Sequence, residues 1–303
     1  MLDLVCLGNV TIDDVVLPDG LTQMGCFGGD AIYAALGASM WSEYVQFVAP
    51  IGNDYPVEHL KRLELAGWDL IGMPVRNVPT YRNLVIYEND GHRTWVQRTN
   101  PADFFILSPL VDDIPVAYLN ARAFLILAMD LAAQENLVAG LKDTGALLAL
   151  DPQEDYIPGN EQRILRMLAS VDVFLPSEIE VERILGHRNY KKAACQFANS
   201  GCKIVVIKQG AMGSLLYDAV NDVFQTIPIY KTETIDTTGA GDTYSGGFMA
   251  KYVTTGNTQQ AGIAGAVSAS FAVEGFGLTH LFDISREKAQ IRFDELMVQF
   301  SVG

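Results

Sequence analysis

Asp236-Thr237-Thr238-Gly239-Ala240-Gly241-Asp242 is the stretch on which the reading of this chain turns. Polar side chains lead into Gly239-Ala240-Gly241, and after Asp242 the residues Tyr244, Phe248 and Tyr252 recur every fourth position. That spacing places them on one face of a helix. The small residues therefore stand where a helix begins. Backbone N–H groups there have no intrahelical partner, and the helix dipole is positive at that end, so the position suits an anion, phosphate above all. A carboxylate beside such a site repels the ligand unless it has a task. The task that fits Asp242 is to accept the proton of a hydroxyl attacking phosphorus. The plainer alternative is a tight turn with Asp and Thr as helix caps. The small residues that continue through Ser245, Gly246 and Gly247 favour the anion site.

Outward from this stretch, strand-like and helix-like runs alternate. Strands are expected at 2–8, 45–50, 123–128, 146–150, 171–175 and 203–208, and helices at 31–41, 57–66, 132–141, 162–168 and 177–185. The last third adds helices at 239–252, 259–273 and 286–300. This alternation predicts a three-layer α/β/α fold, a mostly parallel sheet with helices on both faces. Two segments break the rhythm. Residues 14–27 carry Pro18, Gly20 and Gly25 among short extended runs, and 81–97 reads as two strands around Asn89-Asp90-Gly91, a hairpin signal. Together, at about 14–27 and 80–98, they predict a small β-strand lid on one α/β domain spanning 1–303, with Gly28-Gly29 as its hinge. Open strand edges on a lid suit pairing between subunits, so a homodimer through the lid is expected.

The chain has 303 residues, a hydrophobic content of 49% and a formal net charge of −15. The first two suit one large α/β domain. The charge argues against a nucleic-acid backbone or an anionic membrane as partner. It leaves room for a nucleotide, because a nest of N–H groups and a metal ion can overcome an unfavourable overall field. The N-terminal residues carry no basic region, and no apolar run reaches the ~18 residues that span a bilayer. Cys6, Cys26, Cys195 and Cys202 show no C-x-x-C spacing, which fits reduced thiols in a cytoplasmic protein. The scattered His59, His92, His187 and His280 argue against a structural zinc site. The first strand ends Gly8-Asn9-Val10-Thr11, without G-x-G-x-x-G, which argues against a dinucleotide-dependent oxidoreductase.

Taken together, these motifs resemble the ribokinase-like, phosphofructokinase-B family of carbohydrate and nucleoside kinases. Residues 236–243 are similar to its C-terminal signature, Gly28-Gly29 to its N-terminal double glycine, and 8–13 to its first-strand motif. Residues 176–180 resemble its N-x-x-E segment, and 209–213 its nucleotide-side glycine turn. The resemblance implies ATP-dependent phosphorylation of a hydroxyl on a small sugar or related polyol. Asp242 would be the general base, with the N–H groups of Gly239, Ala240 and Gly241 as anion hole. Asp13, Gly29, Asp30 and Tyr33 would touch the substrate. Ser177, Lys208, Gly210, Gly213 and Thr238 would border ATP, and Glu180 would hold Mg²⁺ through water. A monovalent cation, K⁺, is a further expected partner.

The chain departs from the pattern at three of these places. Ser177 stands where the family has Asn, and Lys208 where it has Thr; the lysine either reaches a phosphate or points to solvent. Tyr33 replaces a sugar-holding Asn, which opens the alternative of a nucleoside or pseudonucleoside acceptor, with Tyr33 and Phe27 stacking on its base. A second alternative keeps the pocket and loses catalysis, leaving a ligand-binding homologue. Arg82 and Arg98 on the lid either engage an acidic substrate group or sit on a solvated face.

Overall fold

The computed structural model describes residues 1–88 and 93–302. The first strand, β1 (Leu4–Leu7), is buried along its whole length. It is followed by β2 (Thr11–Val16), β3 (Thr22–Gly28), β4 (Val45–Val48), β5 (Ile51–Gly52), β6 (Val75–Arg76), β7 (Arg82–Tyr87) and β8 (Arg93–Gln97). The second half contributes β9 (Ala123–Ile126), β10 (Leu147–Leu150), β11 (Val173–Phe174), β12 (Ile204–Lys208), β13 (Ser214–Asp218) and β14 (Val223–Ile227). The helices are α1 (Asp30–Ser39), α2 (Val57–Leu65), α3 (Asp103–Leu107), α4 (Leu131–Leu141) and α5 (Glu161–Met167). They continue with α6 (Glu178–Leu185), α7 (Tyr190–Asn199), α8 (Ala240–Thr255), α9 (Thr258–Ala272) and α10 (Arg286–Val302).

The main sheet runs β14-β13-β12-β11-β10-β9-β1-β4. The pairs from β12 to β4 are parallel, and β13 and β14 join as an antiparallel edge. That edge hairpin and α7 go beyond the sequence-based expectation. Strand alternation sends Cys6, Leu125 and Val206 to one face, and Leu7, Ile126 and Val205 to the other. The first set packs with α1, α8, α9 and α10. The second packs with α4, α5, α6 and α7. Three layers follow, as the alternation predicts.

Small residues set how closely the helices of the first layer approach. A Cβ on Gly246 of α8 would lie 1.9 Å from the Ala34 carbonyl oxygen of α1, and one on Gly37 of α1 2.3 Å from the Thr243 carbonyl oxygen. On the far side, a Cβ on Gly247 would meet Ser268 Oγ of α9 at 2.2 Å. Backbone therefore packs on backbone, and this fixes the start of α8 beside the start of α1.

A separate four-stranded sheet runs β3-β2-β7-β8. Strand β2 pairs antiparallel with β3 and parallel with β7, which in turn pairs antiparallel with β8. The small sheet begins at Thr11, earlier than the expected 14, because Thr11 and Ile12 already pair with Gly28 and Phe27. The expected turn at Asn89-Asp90-Gly91 lies outside the described residues.

Candidate active site

Parallel strands end on one edge of a sheet, and ligands of open α/β sheets gather there. Here β1 delivers Asn9 to that edge, β10 delivers Asp151 and β12 delivers Lys208. Over it lies a cleft of about 630 Å³ whose walls include Asp13, Gly29, Asp30, Tyr33, Thr238, Gly239, Gly241 and Asp242. Eight of the expected site residues thus meet in one place. Ser177, Glu180, Lys208, Gly210, Gly213 and Ala240 are not part of its walls.

Gly239 caps α8 in the left-handed region, at φ 73°, and a Cβ there would lie 2.4 Å from the Tyr33 ring. Only glycine gives the loop both that turn and that contact. Gly29 plays the matching part before α1: its φ is 115°, and a Cβ would lie 2.5 Å from the Asn9 carbonyl oxygen. Both helix N-termini therefore open onto the cleft, each with a carboxylate in its first turn, Asp30 and Asp242. Burial pushes the Asp30 carboxyl well above the usual carboxylate range, and the neighbouring Asp242 charge pushes it further. The N–H groups of Asn9, at 2.7 Å, and Ala31 pull the other way. The Ala240 N–H turns back to the Thr237 carbonyl at 3.3 Å, so of the three expected anion-hole donors it is already engaged. The helix begins at that residue, and a tight turn folds its N–H back. At 3.3 Å the bond is long.

Lys208 does not point to solvent. Its ammonium is ion-paired with Asp151, lies 3.4 Å from Ser245 Oγ and is largely buried. Ser245 Oγ donates to the same Asp151 carboxylate at 2.8 Å. A Cβ on Gly241 would be 3.5 Å from Lys208 Nζ, so the charge sits directly behind the glycine loop. Burial alone would lower the lysine pKa; the carboxylates of Asp151, Glu180 and Asp242 outweigh it and raise the pKa. Glu180 is also more committed than expected. It closes a capping box on α6, its carboxylate accepting from the Ser177 N–H at 2.5 Å while Ser177 Oγ accepts from the Glu180 N–H at 3.3 Å. Burial, and then the Asp151 charge, push the Glu180 carboxyl up to about 8. Among the described residues no three His, Cys, Asp or Glu side chains form a metal-holding group. Gly210 and Gly213 form the turn between β12 and β13, with Gln209 N–H bonding the Gly213 carbonyl at 2.8 Å.

The small sheet supplies the opposite wall. Asp13 of β2 accepts from Asn83 Nδ2 of β7 at 2.9 Å and from the Thr11 hydroxyl at 3.0 Å. Burial raises its carboxyl to about 6. Tyr87, farther along β7, donates its phenol proton to Asp236. Its oxygen lies 2.6 Å from Thr238 Oγ1, and Asp236 also accepts from the Thr238 N–H at 2.8 Å. Arg82 pairs with Asp54, in the loop before α2, and Arg98 with Asp14 of β2, so both guanidiniums are engaged by carboxylates of the chain itself.

The cleft's aromatic side is one the sequence did not signal. Tyr81 and Phe104 have ring centroids 4.8 Å apart, and Phe104 stacks with Tyr156 at 6.0 Å and 8°. All three line the cleft with Tyr33. Phe27 does not: it is buried against His59 at 4.4 Å, with Phe282 beyond, so stacking of Phe27 on a ligand is ruled out by its place in the core. Five carboxylates line the cleft (Asp13, Asp30, Glu154, Asp155 and Asp242), and among the described residues no Lys, Arg or His does. Of the residues missed in the sequence, Asp151 stands directly after a predicted strand, and Tyr81, Asn83 and Tyr87 lie on the expected lid hairpin. Phe104 and Tyr156 reach the site from segments with no motif.

Comparison with known proteins gives the chain's family and its fold. The model of the pfkB family of carbohydrate kinases matches residues 1–284. The chain is 33% identical to a cytidine kinase of Thermococcus kodakarensis over 256 residues, 83% of this chain and 89% of that protein. Its fold is similar to the nucleoside kinase of Methanocaldococcus jannaschii, with a TM-score of 0.79 at 20% identity over 97% of this chain and 99% of that one. It is also similar to a putative ribokinase II of E. coli in complex with ATP and Mg²⁺, with a TM-score of 0.81 at 18% identity over 97% and 100%.

Proposed function

The chain belongs to the pfkB family of carbohydrate kinases, ATP-dependent phosphotransferases that act on a hydroxyl of a sugar or nucleoside, and within it we propose that this protein phosphorylates a nucleoside. The observation that carries the reading is the aromatic side Tyr81-Phe104-Tyr156 in the same cleft as Asp13, Asn83 and Asp242. A free sugar offers only its C–H faces to such rings, whereas a planar base gains about 1–3 kcal/mol by stacking on an aromatic face. The name of the Thermococcus relative supports the same class. The five carboxylates, with no basic side chain among the described lining residues, disfavour a sugar phosphate or an acidic sugar, which would enter against like charge.

The reaction would be in-line transfer of the γ-phosphoryl group of ATP. Asp13 and Asn83 hold ribose hydroxyls, and Asp242 accepts the proton as the acceptor oxygen attacks. The N–H groups of Gly239 and Gly241 take the charge of the transferring group, and Ala240 joins them if a phosphate oxygen displaces its long bond to Thr237. Lys208 adds fixed positive charge from behind the loop. Ser177, Gly210 and Gly213 border the nucleotide. Tyr33 fixes the loop by packing on Gly239, and Asp30, beside Asp242, faces the acceptor.

Oxygen donors with no protein cage fit Mg²⁺, which binds through one or two carboxylates together with phosphates and water. Glu180 would hold it through water, and it would neutralise phosphate charge. The small sheet acts as a lid that excludes water. The test is ADP release with a panel of nucleosides, free ribose and sugar phosphates, run with and without K⁺. Nucleosides should exceed ribose at least tenfold in kcat/KM, and Phe104→Ala should narrow that ratio. Equal turnover of free ribose would sink the nucleoside reading, and turnover indifferent to K⁺ would remove the monovalent cation.

A further inference from the structure

Strand β7 meets the cleft at Asn83 and the entry to the glycine loop at Tyr87. Residues 83, 85 and 87 share one face because side chains alternate along a strand. Asn83 on that face meets Asp13, and Tyr87 meets Asp236 and Thr238. The separation of four residues is about 13 Å at the rise of an extended strand. Between them Val85 is fully buried, and β7 is paired on both sides, by β2 and β8. The strand is therefore held along its length on both sides. Asp236 is 2% exposed, and its carboxylate holds the Thr238 N–H at the entry to the glycine loop. The backbone of Ile235 is tied to the Val273 carbonyl at 2.7 Å, which anchors the loop from the other side.

We propose that Tyr87 is a positioning residue that couples acceptor binding at Asp13 and Asn83 to the shape of the 236–241 phosphate loop. The proposal rests on the acceptor site described above. An acceptor that bonds Asp13 and Asn83 holds β7 in place. The Tyr87 phenol then keeps Asp236 and Thr238 where the loop N–H groups face the cleft. Phosphoryl transfer becomes efficient only with an acceptor present, which limits transfer to water. Tyr87 itself touches no reacting atom in this account.

Tyr87→Phe keeps the ring and removes the oxygen. With the best acceptor of the panel, kcat should fall about tenfold while the KM for ATP stays within twofold. A second readout is amide hydrogen exchange of residues 236–241. Acceptor alone, without ATP, should slow that exchange in the wild type and leave it unchanged in Tyr87→Phe. A side chain that only stabilised the lid would lower the melting temperature and leave acceptor-induced protection intact. Unchanged kcat overturns the coupling, and so does protection that survives in the variant. If Tyr87→Phe does not fold, the wild-type exchange decides: no slowing by acceptor overturns the proposal. Failure here with nucleoside turnover intact leaves the proposed function standing. Absence of any acceptor turnover ends both, and is seen in the panel before the variant is made.

Discussion

The corner where α1 meets α8 and the small sheet above it build the same cleft by opposite means. In the corner, backbone lies against backbone, Gly246 on Ala34 and Gly37 on Thr243, and Gly239 lies on the Tyr33 ring. Dense packing of this kind has no continuous range of adjustment. In the small sheet the cleft is held by side-chain hydrogen bonds from β2 and the half-buried β7, Asp13 to Asn83 across 70 residues and Tyr87 to Asp236 of the loop across 149. Such contacts open at modest cost, since a hydrogen bond contributes about 1 kcal/mol net. A transferring phosphoryl group needs the first kind of wall, and an acceptor that must enter and leave needs the second. The comparison breaks if the corner proves tolerant to substitution or the small sheet proves rigid.

The largest effect is expected in the corner. Asp242→Asn should lower kcat about 1,000-fold, within the usual range for losing a general base, while ATP affinity changes less than threefold. Calorimetric ATP binding alongside single-turnover kinetics separates the two. A variant with near-wild-type kcat would remove Asp242 from the chemistry and leave the corner a purely structural contact.

Next is the charge behind the loop. Lys208→Met leaves the Asp151 carboxylate buried with Ser245 as its remaining partner, which should destabilise the fold by about 3 kcal/mol. Lys208→Met with Asp151→Asn removes both charges, so stability should largely return. Turnover should not return: about a thirtyfold loss of kcat is expected in the double variant, because the positive charge behind Gly241 is gone. Denaturant melts and steady-state rates on the two variants check this. Recovery of both stability and rate would reduce Lys208 to an internal brace.

The same contrast explains what could be read in the sequence. The corner was legible because its signal is local: seven consecutive residues carry the turn, the helix start and the proposed base. The parallel core was legible from alternating apolar runs such as 4–7 and 204–208. Tyr81, Phe104 and Tyr156 were not, since each belongs to a different segment and none has a periodic neighbour. Phe27 misled because an aromatic residue beside a glycine pair resembles a stacking platform, whereas its strand turns it toward His59. Lys208 could not be resolved either, because its burial depends on Asp151 and Ser245, 57 and 37 residues away.

The smallest effect probes the small sheet and runs against intuition. Asp13 has its carboxyl raised from 3.8 to about 6, mainly by burial, with Asn83 and Thr11 only partly offsetting it. A raised acid pKa means that the folded state binds the proton more tightly than the unfolded one. Stability from this group is therefore present in full below about pH 4 and lost as pH rises to about 6. Near pH 7.5 the ionised Asp13 then costs the fold up to about 3 kcal/mol. Asp13→Asn removes that cost, though a neutral amide forms weaker bonds with Asn83 and Thr11. A net gain of about 1 kcal/mol is expected, or a rise of about 2–4 °C in Tm. The gain should be present at pH 7.5 and vanish by pH 4, while the acceptor KM at pH 7.5 rises at least tenfold. A protein that becomes more stable as it binds acceptor worse shows Asp13 kept for binding at the expense of the fold. If Asp13→Asn instead lowers Tm at pH 7.5, the carboxylate is a structural tie and the small sheet is held more like the corner than its exposure suggests.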